Sequence, residues 1–255
     1  MSAVPEMSAV PEESGRTEAA QGTGTPGGTG THGRPAAKAG PPAIELPRSR
    51  LLLVGSGAFG VTALPSWAVL MRMWYGWDVR ACLTYAAAQL VAPQALAAAT
   101  QAPVEGPDWD TARGIVPHQE LAEWPDLVIV APATANFVAK CALGMPDSLA
   151  LSTVLATRAP VVLAPSIPAG ALERPAVRRN LRTLAEDGFH VTPMQPGLSA
   201  HKAKVGVASG MPDIQTTLRF AASVLRPDTA PQGAGADRSA PAGAPTGALV
   251  GAARA

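Results

Sequence analysis

Cysteine is scarce: only Cys82 and Cys141 occur in 255 residues. Two thiols do not suggest a disulfide scaffold, and without ligand spacing no metal site is expected. A charge excess is missing too, since the formal net charge is +1. The basic residues are scattered except for Arg174, Arg178, Arg179 and Arg182, whose helical spacing reads as a solvated face. No nucleic-acid footprint is therefore expected. No apolar run reaches the length of a membrane span, and the N-terminus has no basic segment followed by an apolar one. The expected location is cytoplasmic, with no membrane contact.

Both ends also lack apolar periodicity. Residues 1–48 include GTGTPGGTGTHGRPAAKAGPP, and residues 227–255 repeat that Gly, Pro and Ala bias. Such segments cannot bury enough apolar surface to offset chain entropy, so disordered tails are expected to flank a domain at residues 49–226. The tandem MSAVPE at residues 1–12 is too short and too isolated to be a solenoid repeat.

Within the domain, short apolar runs alternate with helical patterns. Ser49 to Gly55, Asp78 to Thr84, Asp126 to Ala131, Pro160 to Pro165 and Phe189 to Pro193 predict strands. Val61 to Tyr75, Tyr85 to Thr100 with a break at Pro93, Ala135 to Leu143, Ser148 to Thr157, Arg174 to Asp187 and Ile214 to Leu225 predict helices. Residues 103–117 are rich in Pro, Gly and Asp and predict irregular chain. This alternation implies an α/β three-layer sandwich with a parallel sheet covered on both faces. Ligands of such sheets bind beyond the carboxyl ends of the strands, so the strand exits are the places to inspect.

The first exit, Gly55-Ser56-Gly57-Ala58-Phe59-Gly60, fits GxGxxG between a strand and a helix. Backbone N–H groups there can cradle a phosphate; a plain tight turn satisfies the same spacing. A nicotinamide site further needs an acid at the second strand's exit, where this chain has Thr84; Asp78 stands at that strand's other end. Thr84 suits a phosphate-binding hydroxyl. The exit Pro132-Ala133-Thr134-Ala135-Asn136-Phe137 pairs small residues with a hydroxyl and an amide ahead of a helix. That could admit a flat ring and hold a carboxylate, or be an ordinary helix cap. His118 is placed in a loop, where a histidine is either solvated or catalytic.

Taken in order, these pieces resemble the homo-oligomeric flavin-containing cysteine decarboxylases. The family's H-x-x-L, W-A-D and P-A-S-A-N-T stretches correspond to His118-Gln-Glu-Leu121, Trp124-Pro-Asp126 and Pro132 to Phe137. The match continues through Ala139-Lys140, Gly144, Asp147, Leu149 and Pro175 to Leu181. The resemblance implies a flavodoxin-like (Rossmann-type) fold, trimers or dodecamers, and FMN, with FAD as the alternative, at a subunit boundary. It makes His118 the catalytic base and Asn136 the substrate-carboxylate ligand. Gly55, Ser56, Gly57, Ala58, Thr84, Pro132, Ala133, Thr134 and Ala135 become the expected cofactor contacts.

The branch acting on phosphopantothenoylcysteine carries a reducing cysteine near the C-terminus. Here Leu198 to Lys204 reads LSAHKAK, without one. The following Ala208 to Ile214 resembles the clamp of lanthipeptide peptidyl-cysteine decarboxylases, with closure by residues 199–211. That branch converts the C-terminal cysteine of a precursor peptide to an enethiol, which later closes an aminovinyl-cysteine ring. One departure stands out: the family's P-x-M-N-x-x-M-W loop is Pro165 to Leu172 here, with Pro168 in place of the asparagine. Pro168 offers neither amide nor N–H. A divergent substrate pocket or a non-catalytic flavoprotein subunit accounts for it.

Overall fold

The computed structural model describes residues 40–196, 198–199, 204–205 and 210–225; of the tails expected at 1–48 and 227–255, residues 1–39 and 227–255 lie outside the described residues, as do 200–203 and 206–209 of the expected clamp. Six strands form one parallel sheet: β1 Arg50–Gly55, β2 Asp78–Leu83, β3 Val104–Glu105, β4 Leu127–Thr134, β5 Val161–Ser166 and β6 His190–Val191. Their order is β3-β2-β1-β4-β5-β6. Without the two-residue edge strand β3, the order is that of flavodoxin, as expected. The helices are α1 Leu64–Tyr75, α2 Tyr85–Ala88, α3 Pro93–Thr100, α4 Pro117–Glu123, α5 Ala135–Ala142, α6 Leu149–Ala156, α7 Ala169–Leu172, α8 Pro175–Glu186 and α9 Ile214–Leu225. A short antiparallel pair, β7 Leu198–Ser199 and β8 Lys204–Val205, precedes α9.

Strand pleating sorts the core into two layers. Leu51, Leu53, Leu127, Ile129 and Ala131 face the side that buries Leu64 and Met71 of α1, Leu96 of α3 and Leu218 of α9. Leu52, Val54, Val128 and Val130 face the side that buries Leu121 of α4, Phe137 of α5, Leu149 of α6 and Leu184 of α8. Buried on both faces, β1 and β4 read as continuous apolar runs.

Strand β4 breaks this parity. Its register with β5 shifts between Val130 and Ala133, so Val130 pairs with Leu163 but Ala133 with Pro165. Two residues of β4, Ala131 and Pro132, stand against one of β5, which is a bulge. Alternation alone would place Ala133 with Ile129 and Ala131, yet it packs in the opposite layer with Val130. The strand therefore runs past Ala131, where the pattern predicted its end, and enters α5 on the new face.

As expected, Pro93 starts a new helix, so Tyr85 to Thr100 is α2 and α3. Other departures have local causes. A 3₁₀ turn at Phe59–Ala63 precedes α1. His118, expected in a loop, lies in the first turn of α4, which Pro117 opens and which buried Leu121 and Ala122 anchor. Pro165 to Leu172 is the end of β5 followed by α7, with Pro168 at the helix start. The packed unit also begins before residue 49: Ile44 and Leu46 are 8% and 7% exposed, and the Tyr75 hydroxyl donates to Pro42 O at 2.7 Å.

Arg48 shows why that early segment is fixed. The Asp126 carboxylate accepts from Arg48 N at 2.7 Å, Arg48 Nε at 2.8 Å and Arg50 N at 3.2 Å, with its side chain 5% exposed. Burial works to raise the Asp126 carboxyl, but the bonds from Arg48 and Arg50 outweigh it and hold the group below its usual range. A carboxyl lowered in the folded state stabilises at neutral pH, and that share is lost as pH falls through its folded value. Asp126→Asn is expected to cost about 1.5–3 kcal/mol at pH 7. Thermal unfolding at pH 7 and at about pH 3 checks this, because the gap between variant and wild type should narrow on acidification.

Candidate functional site

The sheet changes direction between β1 and β4: from β1 the chain steps to β2 and β3, then crosses back to β4 on the other side. A crevice necessarily opens there at the carboxyl ends. Ser56, just after β1, ties its two walls together. Its buried hydroxyl donates to Pro132 O at 2.7 Å, accepts from Thr134 N at 3.0 Å and lies 3.2 Å from Thr134 Oγ1. A second tie runs from Thr84 N to Gly55 O at 3.0 Å.

The resulting cleft is about 430 Å³ and is lined by Ser56, Gly57, Thr84 and Thr134 with Asn136 among others. Three helices begin on it, each capped by a hydroxyl. Thr84 Oγ1 accepts from Ala87 N, Thr134 Oγ1 from Phe137 N and Ser148 Oγ from Leu151 N, each at 3.3 Å. The remaining N–H groups of these first turns, with the dipoles of α5 and α6, suit this end of the sheet to an anion. Asn136 is exposed in the first turn of α5. A larger depression of about 790 Å³ lies near Arg48, Asp126 and Arg158, where strands begin, away from this chemistry.

Of the expected cofactor contacts, Ser56, Gly57, Thr84 and Thr134 line the cleft. Gly55, Ala58, Pro132, Ala133 and Ala135 are not lining residues; Ala133 is buried in the core and Pro132 belongs to the bulge. The glycines of GSGAFG have packing reasons of their own. A Cβ on Gly57 would sit 2.4 Å from Ala86 Cβ, and one on Gly55 would sit 2.7 Å from Leu83 Cδ2. The pattern thus records close approach of β1 to β2 and α2 as much as access to an anion.

Asn136 lines this cleft and His118 does not. Both cysteines are buried; burial pushes the Cys141 thiol up to about 12, and burial with the nearby Glu105 raises Cys82 further. Motif spacing did not single out Tyr85, Ala86, Ser148 or the Lys140–Asp147 ion pair, which also line the cleft. The signal for the last two was present, since Lys140 and Asp147 fall on matched positions of the family pattern. Among the described residues, no helix is long and apolar enough to cross a membrane.

A switch-point cleft with three helix starts is what a phosphate-bearing planar cofactor requires, and the flavoprotein family profile matches residues 41–225. The chain belongs to the flavoprotein family. A solved flavoprotein, the FMN-dependent cysteine decarboxylase SpaF, is 33% identical with a TM-score of 0.57, covering 68% of this chain and 97% of its own. The FMN-dependent cysteine decarboxylase TvaF from thioviridamide biosynthesis is 34% identical with a TM-score of 0.54, over 56% of this chain and 88% of its own. The coenzyme A biosynthesis bifunctional protein CoaBC of Bacillus subtilis (strain 168) is 34% identical over 143 residues, 56% of this chain and 35% of CoaBC. This flavoprotein therefore spans about a third of the length of that curated relative.

Proposed function

We propose that this flavoprotein is an FMN-dependent oxidative decarboxylase of the C-terminal cysteine of a precursor peptide, working in the cytoplasm as a homo-oligomer. The observation that carries the reading is the placement of Asn136 at the start of α5 in a cleft built from three helix N-termini. The 33% identity to SpaF across 97% of that chain supports it.

The cleft's anion-binding end fits the FMN phosphate, with Ser56, Gly57, Thr84 and Thr134 as its walls. FMN supplies the two-electron acceptor for the cysteine Cβ–S unit. Asn136 holds the peptide's terminal carboxylate through its side-chain amide, where the α5 dipole favours negative charge. His118 accepts the thiol proton. His118 does not line the cleft of its own chain, and in a trimer or dodecamer with the flavin at a subunit boundary it would serve the cleft of a second copy. The balance is loss of CO2 and two hydrogens, leaving an enethiol that later closes an aminovinyl-cysteine ring in lanthipeptide biosynthesis. Without a cysteine at Leu198 to Lys204 the chain has no thiol there to reduce the enethiol again.

A second reading, decarboxylation of phosphopantothenoylcysteine, is favoured by the 34% identity to CoaBC. Incubation of the yellow protein with a cysteine-terminated peptide and, separately, with phosphopantothenoylcysteine distinguishes the two by mass spectrometry. The peptide is expected to lose CO2 and two hydrogens. Loss of CO2 alone from phosphopantothenoylcysteine selects the second reading, and no change in either substrate selects a non-catalytic regulatory subunit.

A further inference from the structure

The loop before α4 carries Trp109, whose indole stands beside His118 with ring centroids 5.3 Å apart and planes at 69°. Nδ1 of His118 is buried and has no hydrogen-bond partner. Nε2 is not sealed in this way, so it is the ring nitrogen open to a ligand. The loop itself is pinned. Arg113 Nη2 lies 3.1 and 2.9 Å from the two carboxylate oxygens of Glu105, and Arg113 Nε lies 3.3 Å from Asp110 Oδ2. Glu105 belongs to β3, so the indole is held relative to the sheet although Trp109 is 43% exposed.

A neutral imidazole carries one hydrogen, and the partner of one nitrogen decides which of the two holds it. For the base role given to His118 above, on which this inference rests, Nε2 must present a lone pair. The hydrogen then sits on Nδ1, where a carbonyl or carboxylate would ordinarily accept it. None does here. The neighbouring group is an indole in T-shaped contact with the imidazole, and the electron-rich face of an indole attracts an N–H and repels a lone pair. We infer that Trp109 is a positioning residue for His118: its π face takes the Nδ1 hydrogen and leaves Nε2 as the proton acceptor. Arg113 and Glu105 act at one remove, by holding the loop that carries the indole.

The tautomer can be read directly by nitrogen-15 magnetic resonance of the full chain labelled at histidine, with the His118 signals assigned by their loss in His118→Asn. Neutral His118 is expected to carry its hydrogen mainly on Nδ1. Trp109→Leu, which fills the space without a π face, should move the tautomer ratio toward Nε2–H by about two- to fivefold. Trp109→Phe should restore it. With peptide substrate, Trp109→Leu should lower kcat by a similar factor and leave KM unchanged. A wild-type His118 protonated mainly on Nε2, or a ratio unmoved by Trp109→Leu, overturns the inference. Activity of His118→Asn tests the base role separately, so failure of one is not mistaken for failure of the other.

Discussion

His118→Asn is expected to lower the rate of peptide decarboxylation by about 10²–10⁴-fold, the range for removal of a positioned general base. Asparagine cannot accept the thiol proton, and nothing else in the first turn of α4 offers an imidazole. The fold should survive, because that turn is started by Pro117 and anchored by Leu121 and Ala122 rather than by the histidine. Flavin content should be largely unchanged, since the expected phosphate-end walls Ser56, Gly57, Thr84 and Thr134 are untouched. The check is single-turnover product formation alongside the visible absorbance spectrum. A yellow variant with undiminished turnover would refute the base assignment.

Phe137→Ala should have the largest effect on stability. Phe137 is 2% exposed, stands among the largest buried side chains and also lines the cleft. Truncation removes the apolar surface of the ring and leaves a cavity, at a cost of about 3–5 kcal/mol. That is a large share of the ~5–15 kcal/mol that separates folded from unfolded chains. For a domain of this size it corresponds to a fall of roughly 6–20 °C in Tm. Flavin affinity should weaken as well, because the same ring supports the helix start that carries Thr134 and Asn136. Phe137→Leu, which refills most of the volume, should recover most of both losses. A melting temperature within about 2 °C of wild type for Phe137→Ala would show that the layer collapses around the gap without cost.

The central architecture was readable because its strands are buried on both faces. Leu51 to Val54 and Leu127 to Val130 have no reason to be continuously apolar unless helices cover both sides. Alternating helical patterns supplied those helices, and the strand exits then located the cleft. Features governed by only a few residues were not readable. Strand β3 consists of two residues held by pairing with Ala81 and Cys82, which composition cannot reveal. Ile44 and Leu46 are isolated apolar residues in a Pro- and Gly-rich context, and only their partners make them core. The bulge at Ala131 and Pro132 follows from how β4 meets β5, so alternation along β4 alone ended the strand too early. Local chemistry put Asn136 at a helix start, and it does line the cleft, but its role came from the family resemblance. The relation between Asn136 and His118 was not legible, because they lie on different elements, α4 and α5.

The burial of Cys82 and Cys141 has a consequence for an enzyme proposed to work on thiols. Thiol–disulfide exchange proceeds through a thiolate, and both of these groups are held as neutral thiols far above physiological pH. Neither can attack a peptide disulfide or be captured by a reactive sulfur product. An enethiol formed in the proposed reaction would therefore meet no reactive thiol of the enzyme, and mixed disulfides between enzyme and peptide would not be expected to accumulate during turnover in air.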